Sequence, residues 1–247
     1  MYQYFYFPDR VKYDTPARLG LHFDDMRFNS RDGTQLAGWF IHATGAIQGT
    51  VIHMHGNAQN MSAHWGYVDW LPTVGFNVFT FDYRGYGNSQ GSPDPRGVFE
   101  DAIAALDAIR ARENTGPLFV FGQSLGGMLA IAAAGASPAE LKAVAAEAPV
   151  HSYSAWAEDV MPEKELALDD TYCASEYIAA LSPVPLLLLH GTADRVVPYE
   201  HSERLLKAAG TPKQLVTLPN GEHNDALTER HGDQYRRQLL DFFSTYA

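Results

Sequence analysis

Six short runs, "TVIHMHG", "FNVFTFDYRG", "PLFVFG", "VAAEAP", "VPLLLLHG" and "KQLVTLP", recur between residues 50 and 219. Most are apolar on both alternating faces and several are β-branched or aromatic, so each strand needs cover on both sides, as central parallel strands do. Parallel neighbours cannot be joined by a tight turn, and the intervening chain has helical character. Residues 98–109 put Val98, Ala102, Leu106 and Ile109 on one stripe, and residues 128–136 are alanine-rich. The C-terminal "QYRRQLLDFFSTY" groups Tyr235, Leu239 and Phe242. Strand and helix in alternation predict an α/β fold with a mostly parallel, doubly wound sheet.

Ahead of these runs, "MRFN" and "LAGWFI" flank Arg31, Asp32 and Gly33, the turn of an antiparallel hairpin. Residues 150–183 are longer than a crossover helix needs and mix Tyr153, Trp156, Tyr172 and Tyr177 with acidic residues. They read as a small helical cap or as an ordinary surface excursion. No repeat or linker divides the chain, and 247 residues with 46% hydrophobic content suit one domain over 1–247.

The formal net charge of -11 argues against nucleic acid or an anionic membrane surface as partner. Cys173 is the only cysteine, so no internal disulfide forms, and a cytoplasmic location is favoured. The aromatic start "MYQYFYFP" is far too short to span a bilayer and reads as a packed terminal arm. Membrane association is expected only if a segment precedes Met1.

Two serines sit in G-x-S-x-G. A nucleophilic serine needs a strand running straight into it and a helix leaving straight from it. Ser124 follows "PLFVFG" and precedes "GGMLAIAAAGA", whose first amides would face a reacting oxygen. Ser89 follows a strand, but Pro93 and Pro95 lie just beyond it and block an immediate helix. Ser124 is the expected nucleophile and Ser89 a loop residue.

Serine needs a base to take its proton and an acid to orient that base. Asp194, in "HGTADRVVP", and His223, in "NGEHND", each follow a strand, in the order serine, acid, histidine. Glu147 and Asp225 are rival acids. His53 and His55 share a strand face at metal-pair spacing, but no further ligand completes a site. His190 is expected to bond its own loop, and His22, His42, His64, His151, His201 and His231 to be solvated. The oxyanion would be met by the amides of Leu125, after the nucleophile, and Asn57, in the glycine turn after "TVIHMHG", with Ala58 in reserve.

Taken together, "HMHGNAQN", "DYRGYGNSQG", "GQSLGG", "HGTADRVVP" and "GEHN" resemble the α/β-hydrolase superfamily, and within it the branch of membrane-tethered serine esterases, lysophospholipases and protein depalmitoylases. The resemblance spans nearly the whole chain. It implies a Ser124–Asp194–His223 triad, an oxyanion hole of Asn57 and Leu125, and no cofactor or metal. It further implies hydrolysis of an ester or thioester bearing an acyl chain, with "DYRGYGNSQG" as a structural loop. An amide or peptide hydrolase and a silent binding protein on the same scaffold are the alternatives.

Overall fold

The computed structural model describes residues 2–164 and 166–247. Its strands are β1 (Phe7–Pro8), β2 (Phe23–Asn29), β3 (Gln35–Ile41), β4 (Gly49–Met54), β5 (Ala58–Gln59), β6 (Phe76–Asp82), β7 (Leu118–Gln123), β8 (Leu141–Glu147), β9 (Leu186–Gly191) and β10 (Lys213–Leu218). Its helices are α1 (Met61–His64), α2 (Pro95–Arg110), α3 (Leu125–Ala136), α4 (Tyr153–Val160), α5 (Ala174–Tyr177), α6 (Glu200–Ala208) and α7 (Gln234–Tyr246).

Eight strands form one sheet in the order β10-β9-β8-β7-β4-β6-β3-β2. β2 pairs antiparallel with β3, and β3 antiparallel with β6; all the other pairs are parallel. This is the mostly parallel, doubly wound α/β sheet that the alternation of strands and helices predicts, in the form that the α/β-hydrolase resemblance implies. The expected hairpin is present and starts earlier, at Phe23, because β2 continues its pairing as far as Ile41.

Both faces are buried along β4, β6, β7, β8 and β9, which explains the missing polar alternation, whereas β10, expected to be central, is an edge strand with only Leu218 buried. Ile52 and Met54 of β4 join the core formed with α2 and α3, whereas Val51 joins the opposite core with Met61, Trp65 and Phe243 of α7. Helix α3 is apolar all round and buried from Leu125 to Gly135, as a helix wedged between sheet and neighbouring helices must be. Helix α2 opens with Pro95 at its first position and Asp94 as cap, whose carboxylate accepts the Gly97 amide at 3.0 Å. It therefore begins three residues before its apolar stripe.

After β4 the chain moves to β6 on one side and then to β7 on the other. Strand order reverses between β4 and β7, and in open α/β sheets the crevice beyond the carboxyl ends at such a point is where ligands bind. Ser124 leaves the end of β7 and Asn57 follows the end of β4.

Two devices frame this crevice. Residues 150–183 contribute α4 and α5, with Tyr153 and Trp156 buried beneath Phe5 of the N-terminal arm at ring-centroid distances of 5.2 and 5.3 Å. The arm continues into β1, which pairs with β5 in the loop after β4. Among the described residues no helix is long and apolar enough to cross a membrane.

Candidate active site

Ser124 sits between the last residue of β7 and the first of α3 with φ 56° and ψ -120°. That strained backbone turns the chain sharply and pushes the side chain out at the strand end. The turn requires glycine on both sides. A Cβ on Gly122 would lie 2.1 Å from the Gly126 carbonyl oxygen, and one on Gly126 would lie 2.0 Å from that of Met54. Backbone bonds lock the elbow: the Ser124 amide donates to Glu147 O at 2.9 Å, and the Met128 and Val150 amides donate to Ser124 O at 3.1 and 3.3 Å.

Asp194 and His223 come from the loops after β9 and β10 and meet, with Nδ1 of the ring 2.7 Å from Oδ2 of the carboxylate. The Asp194 side chain is fully buried, and its Oδ1 accepts the amides of Val196 and Val197 at 2.8 and 2.9 Å. Burial alone would raise its pKa, but bonding to His190, His223 and the Val197 amide holds it far below the ordinary carboxylate range. It therefore stays ionised and fixes the ring with Nδ1 protonated, leaving Nε2 as the basic nitrogen.

Neither rival acid reaches His223. Glu147 accepts Gln123 Nε2 at 2.9 Å and the Ala226 amide at 2.7 Å, while Asp225 is taken by Arg230 at 2.9 Å and the Glu222 amide at 3.0 Å. The structure thus joins His223 to Asp194, and leaves Ser124 Oγ without a hydrogen bond to the ring. Such contacts are commonly long without substrate and tighten when it binds. A cleft of about 430 Å³, lined by Ala193, Arg195, Val196, Glu222 and His223, opens beside the imidazole.

The two expected oxyanion donors lie at the ends of neighbouring strands. Leu125 occupies the first turn of α3, where amides have no intrahelical acceptor. The Asn57 amide donates to no protein acceptor among the described residues, whereas Ala58, the reserve, is drawn into β5 opposite Phe7. The Asn57 carbonyl is held from two sides, by the Phe7 amide at 2.9 Å and the Tyr86 hydroxyl at 2.7 Å. His64 adds a third tie to this loop through the Ala58 carbonyl at 3.0 Å. Tyr86→Phe removes one of these anchors, and amide exchange at Phe7 is expected to quicken about tenfold as the loop loosens. Hydrogen exchange checks it; an unchanged rate would show that the loop is rigid without the hydroxyl.

Ser89 is buried, accepts the Ala37 amide at 2.9 Å and donates to Asp82 O at 2.6 Å. It staples its loop to β3 and β6. His53 bonds Thr80 at 3.1 Å and His55 bonds Gly56 O at 2.8 Å, and burial pushes His53 down to about 3. Both are core residues. His190 contacts Val197 O at 2.9 Å and Ser202 at 2.7 Å.

Three of the histidines expected to be solvated are not. His201 is 2% exposed and bonds Asp159 at 2.6 Å, and burial lowers His64 and His151 to about 4. Packing by the surrounding fold, which local polarity does not report, accounts for all three. His22, Asp24 and His42 bring three donor atoms within 4.8 Å of one another, but Arg112 already sits 2.6 Å from Asp24 Oδ2 as its counter-charge.

The Hydrolase_4 family model, described as serine aminopeptidase, S33, matches residues 45–169 and 168–230. The chain belongs to this α/β-hydrolase family. Hydrolase_4 relatives similar to it include the uncharacterised protein YfhR of Escherichia coli K12, 44% identical over 246 residues that cover 97% of this chain and 86% of the relative. The α/β-hydrolase domain-containing protein WAV2 of Arabidopsis thaliana is 33% identical over 94% of this chain and 82% of its own length. Among solved structures, the Pyrococcus furiosus esterase Pf2001 superposes with a TM-score of 0.81 at 20% identity, covering 97% of this chain and 96% of the esterase. That likeness extends the shared fold to esterases, and membership of the Hydrolase_4 family makes the protein a hydrolase.

Proposed function

We propose that this hydrolase is a serine esterase that cleaves carboxylic esters or thioesters through an acyl-enzyme, with Ser124 as nucleophile, His223 as base and Asp194 as its orienting acid. The observation that carries the reading is the 2.7 Å bond from His223 to a buried, ionised Asp194, at the sheet end where Ser124 stands on a strained elbow. Ser124 Oγ attacks the substrate carbonyl while the neutral imidazole takes its proton. The Asn57 and Leu125 amides receive the negative oxygen. His223 then returns the proton to the leaving alcohol or thiol, and water, activated by the same ring, releases the acid.

In this reading residues 150–183 act as a cap, anchored through the packing of Tyr153 and Trp156 against Phe5. The motif run from "HMHGNAQN" to "GEHN" favours the branch of tethered esterases and depalmitoylases. The description of the matched family model favours a second reading, cleavage of an amide or peptide bond by the same groups.

A fluorophosphonate probe followed by peptide mapping tests the assignment: the label is expected on Ser124, and an unlabelled protein, or label elsewhere, would sink it. Matched p-nitrophenyl ester and p-nitroanilide substrates rank the two bond types, with the ester expected to turn over faster.

A further inference from the structure

We propose that Glu147 is a positioning residue for hydrolysis, its carboxylate bridging the strand that presents Ser124 to the loop that presents His223. The proposal rests on the triad reading above and adds a residue outside the triad.

Glu147 ends β8, between β7 and β9, and is 2% exposed. One carboxylate oxygen accepts Gln123 Nε2 at 2.9 Å, from the residue immediately before the nucleophile. The other accepts the Ala226 amide at 2.7 Å, three residues beyond the base and 79 away in sequence. The Glu147 carbonyl also accepts the Ser124 amide at 2.9 Å. A single buried residue thus touches both chain segments whose separation sets the distance from hydroxyl to imidazole. No other polar side chain links them directly among the described residues. The chain of contacts continues inward, since Gln123 Oε1 lies 3.5 Å from His53 Nε2, and His53 bonds Thr80.

A carboxylate suits this place because both groups facing it are N–H donors. An apolar residue would leave two buried donors unsatisfied and the loop unanchored. The neutral acid is poorly matched, since its own hydrogen meets only donors. Burial nevertheless raises Glu147 to about 7, against the lowering effect of Gln123 and the Ala226 amide and with further upward pressure from Asp225 and Asp194. Tyr67 is the other titratable group that senses its charge. The bridge is therefore strongest above neutrality and loosens as Glu147 takes up a proton.

Stability runs the opposite way. A folded-state pKa raised above the unfolded value means that the folded chain holds the proton more tightly. The associated stability is complete below the unfolded pKa and is lost as pH rises through about 7. Loss of stability together with gain of activity across the same interval separates a positioning group from a merely structural one.

The test compares wild type, Glu147→Ala and Glu147→Gln in p-nitrophenyl ester hydrolysis and thermal melting between pH 5 and 9, with Ser124→Ala as control. Glu147→Ala is expected to lose about tenfold to a hundredfold in kcat with KM within about twofold, the effect of a small misplacement of reacting groups. Glu147→Gln keeps an oxygen for the Ala226 amide and, with the Gln123 amide turned over, keeps both ties. It is expected to recover most of the activity, to change the acid limb of the profile, and to melt higher relative to wild type as pH rises from 5 to about 7.

Folded Glu147→Ala with wild-type kcat would overturn the proposal. If that variant does not fold, an acid limb that is the same in wild type and Glu147→Gln overturns it equally. Activity retained by Ser124→Ala would instead defeat the triad reading beneath it.

Discussion

Ser124→Ala is expected to hydrolyse p-nitrophenyl esters roughly 10⁴- to 10⁶-fold more slowly than wild type, the scale on which loss of the serine collapses a triad that works as a unit. Its stability should stay within about 0.5 kcal/mol, because the Ser124 hydroxyl holds no buried partner that its removal would strand. The pair of measurements matters more than either alone. A fall in rate with an unshifted melting curve places the effect in the chemistry. If the alanine variant keeps even a tenth of the wild-type rate, with contaminating esterase excluded by a titrated active-site label, another residue is the nucleophile.

Gly126→Ala should be a severely damaging single methyl group. In an ordinary helix interior this exchange stabilises by about 1 kcal/mol, because glycine forms helices poorly. Here the added Cβ would meet Met54 O at 2.0 Å and His55 O at 2.4 Å. Both are backbone atoms at the end of a central strand and have nowhere to go. Steric overlap outweighs propensity, and a net loss above about 3 kcal/mol is expected, at the upper end of overpacking penalties. Urea denaturation read by tryptophan fluorescence measures it. A variant as stable as wild type would mean that α3 keeps a wider distance from β4.

Much of the fold was legible because its parallel strands are buried on both faces and read as apolar runs. The elbow was legible for a related reason: packing alone does not call for a glycine-flanked serine between a strand and an alanine-rich helix, and Pro93 and Pro95 remove Ser89 from contention. The pairing of Asp194 with His223 was legible in their places just after strands and in the chain order serine, acid, histidine. What local sequence did not carry is long-range. Strands β1 and β5 have two residues each, too few to show a period. Helix α6 is amphipathic, with Leu205 turned inward, but lies in a charged stretch with few apolar residues. Glu147 read as a rival acid because an acidic residue at a strand end near the site has that role in some hydrolases. Its actual partners, an amide side chain and a distant backbone N–H, leave no trace in spacing.

The pairing of the chain's first residues with the loop after β4 has a practical side. Phe7 and Asp9 hold Asn57 and Gln59 by their backbone amides, and Phe5 is anchored between rings of α4. Tension on this arm is therefore carried by those ties straight to the Asn57 turn at the end of β4, and pulling on it reads how firmly that turn is held.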